Sequence, residues 1–121
     1  MSDRLCLIVD DEPAMRSYIS AIMSSEHFKT LEAGSAAEAV KIVQRPKGQL
    51  ALIVSEVEMP GDMNGLELAH SVHNSFPTVP IVLFSGHEKP NNGDICFEFI
   101  EKPFTPNTIL SVIRRVMAQS E

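Results

Sequence analysis

The chain has 121 residues, 44% of them hydrophobic and 21% charged, which suits one globular domain with room for a single core. A formal net charge of −6 argues against a nucleic-acid partner, because no basic stripe is left to displace counterions from a phosphate backbone. The opening Met1-Ser2-Asp3-Arg4 lacks the basic flank and apolar stretch of a signal peptide, and no apolar run approaches the ~18 residues of a membrane span. The sequence therefore predicts one soluble, cytoplasmic domain over residues 1–121, with Cys6 and Cys96 as two buried free thiols.

Short apolar runs alternate with amphipathic stretches, the pattern of a parallel α/β sheet covered by helices. Leu5–Val9 is the first strand, closed by Asp10-Asp11-Glu12. Pro13 suits a first helical turn, and Met15, Tyr18, Ile19, Ile22 and Met23 follow at helical spacing. Phe28–Ala33 is a weaker strand near an edge, broken in hydrophobicity by Lys29 and Glu32. Ser35 and Glu38 predict a capping box for a second helix that buries Ala36, Ala39, Val40 and Val43 and ends at Pro46-Lys47-Gly48.

Leu50–Val54 is continuously apolar and so belongs at the centre of the sheet. A helix from about Leu66 to Phe76 turns Leu68, Ala69 and Val72 inward, and Pro80–Phe84 is a second central strand. Between Phe84 and the last strand, Phe97–Ile100, Pro90, Gly93 and two asparagines disfavour a regular helix. Thr105-Pro106 then opens a final helix with Ile109, Val112, Ile113, Val116 and Met117 inward.

In such a sheet the functional site lies at the carboxyl ends of the strands. Asp10 and Asp11 follow strand one, Glu56 follows strand three, Ser85 follows strand four, and Lys102-Pro103 follows strand five. Any one of these could be a solvated loop residue. Acids, a hydroxyl and a lysine at four separate strand ends describe a site that handles phosphoryl groups and a divalent metal.

The runs Leu7-Ile8-Val9-Asp10-Asp11-Glu12-Pro13, Met59-Pro60-Gly61 with Asn64-Gly65-Leu66-Glu67-Leu68, and Ile100-Glu101-Lys102-Pro103-Phe104 resemble, in order, the motifs of two-component response-regulator receiver domains. The resemblance implies a flavodoxin-like doubly wound sheet of five parallel strands, order 2-1-3-4-5, from which this chain departs because the segment between Phe84 and Phe97 leaves the fourth helix short or missing. It also implies a weakly bound Mg²⁺ at Asp10, Asp11, position 56 and the backbone carbonyl of Glu58. Ser85 and Lys102 would contact a phosphoryl group, Phe99 would be the aromatic switch, and Pro103 would follow a cis peptide bond. The implied partners are a histidine kinase or phosphotransfer protein, a downstream output protein, or both, for a monomer or weak dimer.

The departure lies at position 56, where the family places the phosphorylated aspartate and this chain has Glu56. The extra methylene carries the carboxylate ~1.5 Å further out, toward where the phosphoryl oxygens would project. Misplacing a reacting atom by ~1 Å can cost ~100-fold in rate, so Glu56 is expected to be a poor acceptor. It would act instead as a partial mimic of the activated state or as part of a phosphorylation-independent docking scaffold. An ordinary receiver with its aspartate replaced by engineering would read the same way. A flavodoxin-like small-ligand carrier is a further alternative, opposed by the acids where a flavin phosphate would sit, and an aspartate-nucleophile phosphatase is another, opposed by the run Asp10-Asp11-Glu12-Pro13-Ala14.

Overall fold

The structure is a computed structural model and describes residues 4–44, 50–91, 93 and 95–120. Its elements run β1 (Arg4–Val9), α1 (Pro13–Ser25), β2 (Phe28–Ala33), α2 (Ala36–Val43), β3 (Leu52–Glu56), α3 (Gly65–Ser75), β4 (Ile81–Ser85), β5 (Glu98–Glu101) and α4 (Pro106–Ser120). The five strands form one sheet in the order β2-β1-β3-β4-β5, and each neighbouring pair is parallel. This is the doubly wound arrangement that the alternating pattern predicts, with the weak strand β2 at one edge. Among the described residues no helix is long and apolar enough to cross a membrane.

Each face of the sheet is covered by two helices. On one, Ile19, Ile22 and Met23 of α1 and Ile109, Ile113 and Val116 of α4 bury Ile8, Val54 and Phe84. On the other, Ala36 and Ala39 of α2 and Leu68, Ala69 and Val72 of α3 bury Leu7, Ile53 and Leu83. Strict alternation along β1 and β3 sends successive side chains into opposite cores. All five residues of β3 and of β4 are therefore buried.

Several sequence expectations are corrected. β3 runs from Leu52 to Glu56 rather than from Leu50 to Val54. Pairing Cys6 with Leu52 and Glu56 with Phe84 continues the ladder through Ser55 and Glu56, two polar residues that hydropathy alone leaves outside. β4 likewise ends on Ser85 and β5 on Glu101. Tyr18 is exposed because it falls off the buried stripe of Ile19, Ile22 and Met23. Cys6 is buried, but Cys96 precedes the β5 ladder and is exposed. Val40 and Val43 are only partly buried. Pro46-Lys47-Gly48 lies outside the described residues.

The capping box also moves. Ser35 accepts from the Glu38 N–H at 3.1 Å as predicted, but the Glu38 carboxylate accepts from the Gly34 N–H instead of closing the box. The complete box is at α3, where Asn64 and Glu67 each accept from the other's backbone N–H at 2.9 Å. That box fixes the start of α3 directly against the end of β3. The Gly65 N–H donates to the Val57 carbonyl at 2.8 Å, and a Cβ on Gly65 would lie 1.9 Å from the Glu56 carbonyl oxygen. Only glycine fits that approach. Gly65→Ala should therefore lower stability by about 3 kcal/mol, read from a urea midpoint, whereas Asn64→Ala should lose only the ~1 kcal/mol of a helix cap.

Candidate functional site

The sheet brings the sequence-predicted residues to one rim. Asp10 leaves β1 with its backbone N–H on the Ala33 carbonyl, 3.1 Å away. Glu56 ends β3, and Val57 after it donates to the Phe84 carbonyl at 2.9 Å. Ser85 ends β4, and its carbonyl accepts from the Lys102 N–H at 2.8 Å, which fixes the backbone just beyond β5. The Lys102–Pro103 peptide bond is cis.

Glu56 is 7% exposed, and its Oε2 lies 3.2 Å from Lys102 Nζ. This is within the ion-pair reach that the longer side chain predicts. The ammonium also sits 5.3 Å from the centroid of the Phe84 ring, which is braced edge-on by Phe104 at 5.8 Å. Lys102 is thus held between a carboxylate and an aromatic face. At 3.2 Å, hydrogen bonding and charge attraction to Lys102 act together on Glu56.

Burial raises the Glu56 carboxyl from the ordinary 4.5 to about 7; Lys102 opposes the rise, while Asp10 and Glu58 add to it. Asp10 is shifted upward as well, first by burial, against the opposing effects of the Glu12 N–H and Lys102. Its Oδ1 accepts from that N–H at 2.9 Å, while Oδ2 is buried without a hydrogen bond. Among the described residues, the site holds more carboxylate than Lys102 can neutralise.

Ser85 is fully buried, but its hydroxyl donates to Glu58 Oε1 at 2.5 Å rather than to Glu56. Ser85 Oγ in turn accepts from the His87 N–H at 2.9 Å. The side chain of Glu58, for which sequence reasoning considered only the backbone carbonyl, is therefore a member of the site. Period-two alternation from Glu56 would have placed it on the same side. Phe84, a core strand residue by its sequence pattern, also belongs to the site through its ring contact with Lys102. Asp11 is exposed beside Asp10, and Phe99 is half-buried on the opposite face, packed with the α2–α3 core.

Among the described residues, no three His, Cys, Asp or Glu side chains are grouped to hold a metal ion. The donors present are nevertheless hard oxygens, and the orphaned Asp10 Oδ2 beside Asp11 fits a cation that keeps most of its waters.

Residues 6–114 match the response regulator receiver domain, and the chain belongs to that family. It is thus a regulatory domain of the two-component type. A putative response regulator NtrX-like from Rickettsia bellii (strain RML369-C) is 29% identical over 116 residues, covering 90% of this chain and 24% of that protein. Heme response regulator HssR from Staphylococcus aureus (strain MRSA252) is 24% identical over 117 residues, covering 93% of this chain and 50% of that protein. The chain therefore spans a quarter to a half of the curated relatives it matches. The crystal structure of a CheY-like receiver domain protein from Methanospirillum hungatei JF-1 superposes with a TM-score of 0.88 at 23% identity, covering 98% of this chain and 97% of that one, and shares its fold.

The raised Glu56 value sets a sign for stability against pH. The folded state holds a proton that the unfolded chain releases near pH 4.5, so stability falls as pH rises from about 4.5 to about 7. Denaturant titrations in chelator should show a fall of at most roughly 3 kcal/mol across that window, and Glu56→Gln should flatten it.

Proposed function

We propose that this receiver domain signals without phosphorylation at position 56, with the Glu56–Lys102 pair standing in part where an aspartyl phosphate would stand. The observation that carries this reading is the buried Glu56 carboxylate 3.2 Å from Lys102 Nζ. The lysine is engaged as a phosphoryl group would engage it. The mimicry stays partial, because a carboxylate carries at most one charge whereas a phosphoryl group adds about −1.5 to −2 and three acceptor oxygens. Ser85, held by Glu58, supplies no second contact to Glu56.

The segment between β4 and β5 has no helix among its described residues, and in this reading it marks an atypical receiver whose fourth helix is reduced. Residues 1–121 would serve as one cytoplasmic module. A histidine kinase or phosphotransfer protein, an output protein, or both would meet it by docking rather than by phosphoryl transfer. Asp10, Asp11 and the Glu58 carbonyl would hold Mg²⁺ weakly, with Glu56 beside it. The ion would supply positive charge against the crowded carboxylates.

Treatment with acetyl phosphate and Mg²⁺ should leave the intact mass unchanged, while Glu56→Asp should gain a phosphoryl adduct. An adduct on Glu56 in the unaltered chain overturns the reading. Calorimetry should find divalent binding in the millimolar range that Asp11→Ala abolishes, and equal heats from both proteins would remove the metal from the scheme.

A further inference from the structure

We infer that Glu58 is the positioning residue of the Ser85 hydroxyl, holding it away from Glu56 and tying the loop after β3 to the segment after β4. A serine hydroxyl has one hydrogen, so donation to Glu58 and donation to Glu56 exclude each other. The contact to Glu58 Oε1 is 2.5 Å, at the short end of the range for a hydroxyl hydrogen bond. With its hydrogen committed there, Ser85 Oγ still has lone pairs, and one accepts the His87 N–H at 2.9 Å.

The result is a three-residue chain, Glu58–Ser85–His87, whose first link joins the loop after β3 to the end of β4, 27 positions apart in sequence. Its middle member is fully buried and its first is exposed, so a solvent-facing carboxylate controls the rotamer of a buried hydroxyl. When the Glu58 contact is lost, the Ser85 side chain is free to leave this rotamer for one turned toward Glu56, and in that rotamer Oγ no longer faces the His87 N–H. The inference does not depend on whether position 56 accepts phosphoryl groups.

The test is residue-resolved amide hydrogen exchange on the whole chain, without phosphodonor and in chelator. In Glu58→Ala, exchange at His87 should rise about tenfold, the equivalent of losing one ordinary hydrogen bond. Ser85→Ala should give a similar rise, and the double variant should add nothing further, because both changes break one chain. Glu58→Gln keeps an acceptor oxygen and should retain protection near that of the unaltered protein, which loss of a general packing contact would not. Amides of Leu7 and Ile53 in the two cores report whether the fold is intact. Unchanged protection at His87 in Glu58→Ala, or equal loss in Glu58→Gln and Glu58→Ala, overturns the inference.

Discussion

A carboxylate at the end of a strand buried on both faces loses its hydration, and the penalty is several kcal/mol unless another charge replaces the water. In this domain the replacement for Glu56 comes from Lys102, carried to it from the far edge of the sheet. Much of the surrounding structure serves to bring those two groups together. β4 lies between their strands and gives Lys102 its backbone anchor through the Ser85 carbonyl. Phe84, opposite Glu56 in register, provides the ring on which the ammonium rests. Gly65 lets α3 begin in contact with the Glu56 carbonyl, so the strand end is pinned from the other side.

The same burial explains why the pair is poised rather than permanently charged. A low local dielectric strengthens the attraction to Lys102 and also strengthens the repulsion from Asp10 and Glu58. Desolvation outweighs the lysine, and Glu56 ends near neutrality in its proton affinity. Reading position 56 as a fixed negative charge, as its residue type alone suggests, therefore overstates its likeness to a phosphoryl group.

The sequence made the architecture readable because each strand and helix has its own period, and the strand-end rule then selected Asp10, Glu56, Ser85 and Lys102. What it obscured were the places where tertiary pairing overrides hydropathy. Ser55, Glu56 and Ser85 are polar yet within the ladder, because a neighbouring strand pairs with each: Ser55 with Val9 and Leu83, Glu56 with Phe84, and Ser85 with Glu101. Cys96 is apolar by type yet exposed, because it falls outside β5. Ser35 with Glu38 and Asn64 with Glu67 share the same spacing, but only the second pair closes reciprocally. The role of the Glu58 side chain depended on a hydroxyl rotamer, and no sequence period reports that.

The extra methylene of Glu56 has a consequence for how the site is divided. An acceptor aspartate bearing a phosphoryl group presents three oxygens and can bind lysine and hydroxyl together. A glutamate presents two oxygens on one arm, and here Oε2 is directed to Lys102. The hydroxyl of Ser85 is then satisfied elsewhere, by Glu58, and buried polar groups require such a partner. The two contacts that one phosphoryl group would join are thus held by two separate carboxylates. Lys102 reports on β3 and β5, while Ser85 reports on the loops that follow β3 and β4. A change at Glu56 reaches the second pair through backbone, packing and its charge repulsion with Glu58 rather than through a shared hydrogen bond, so the lysine side of the site can be engaged while the Ser85–Glu58 hydrogen bond remains as it is.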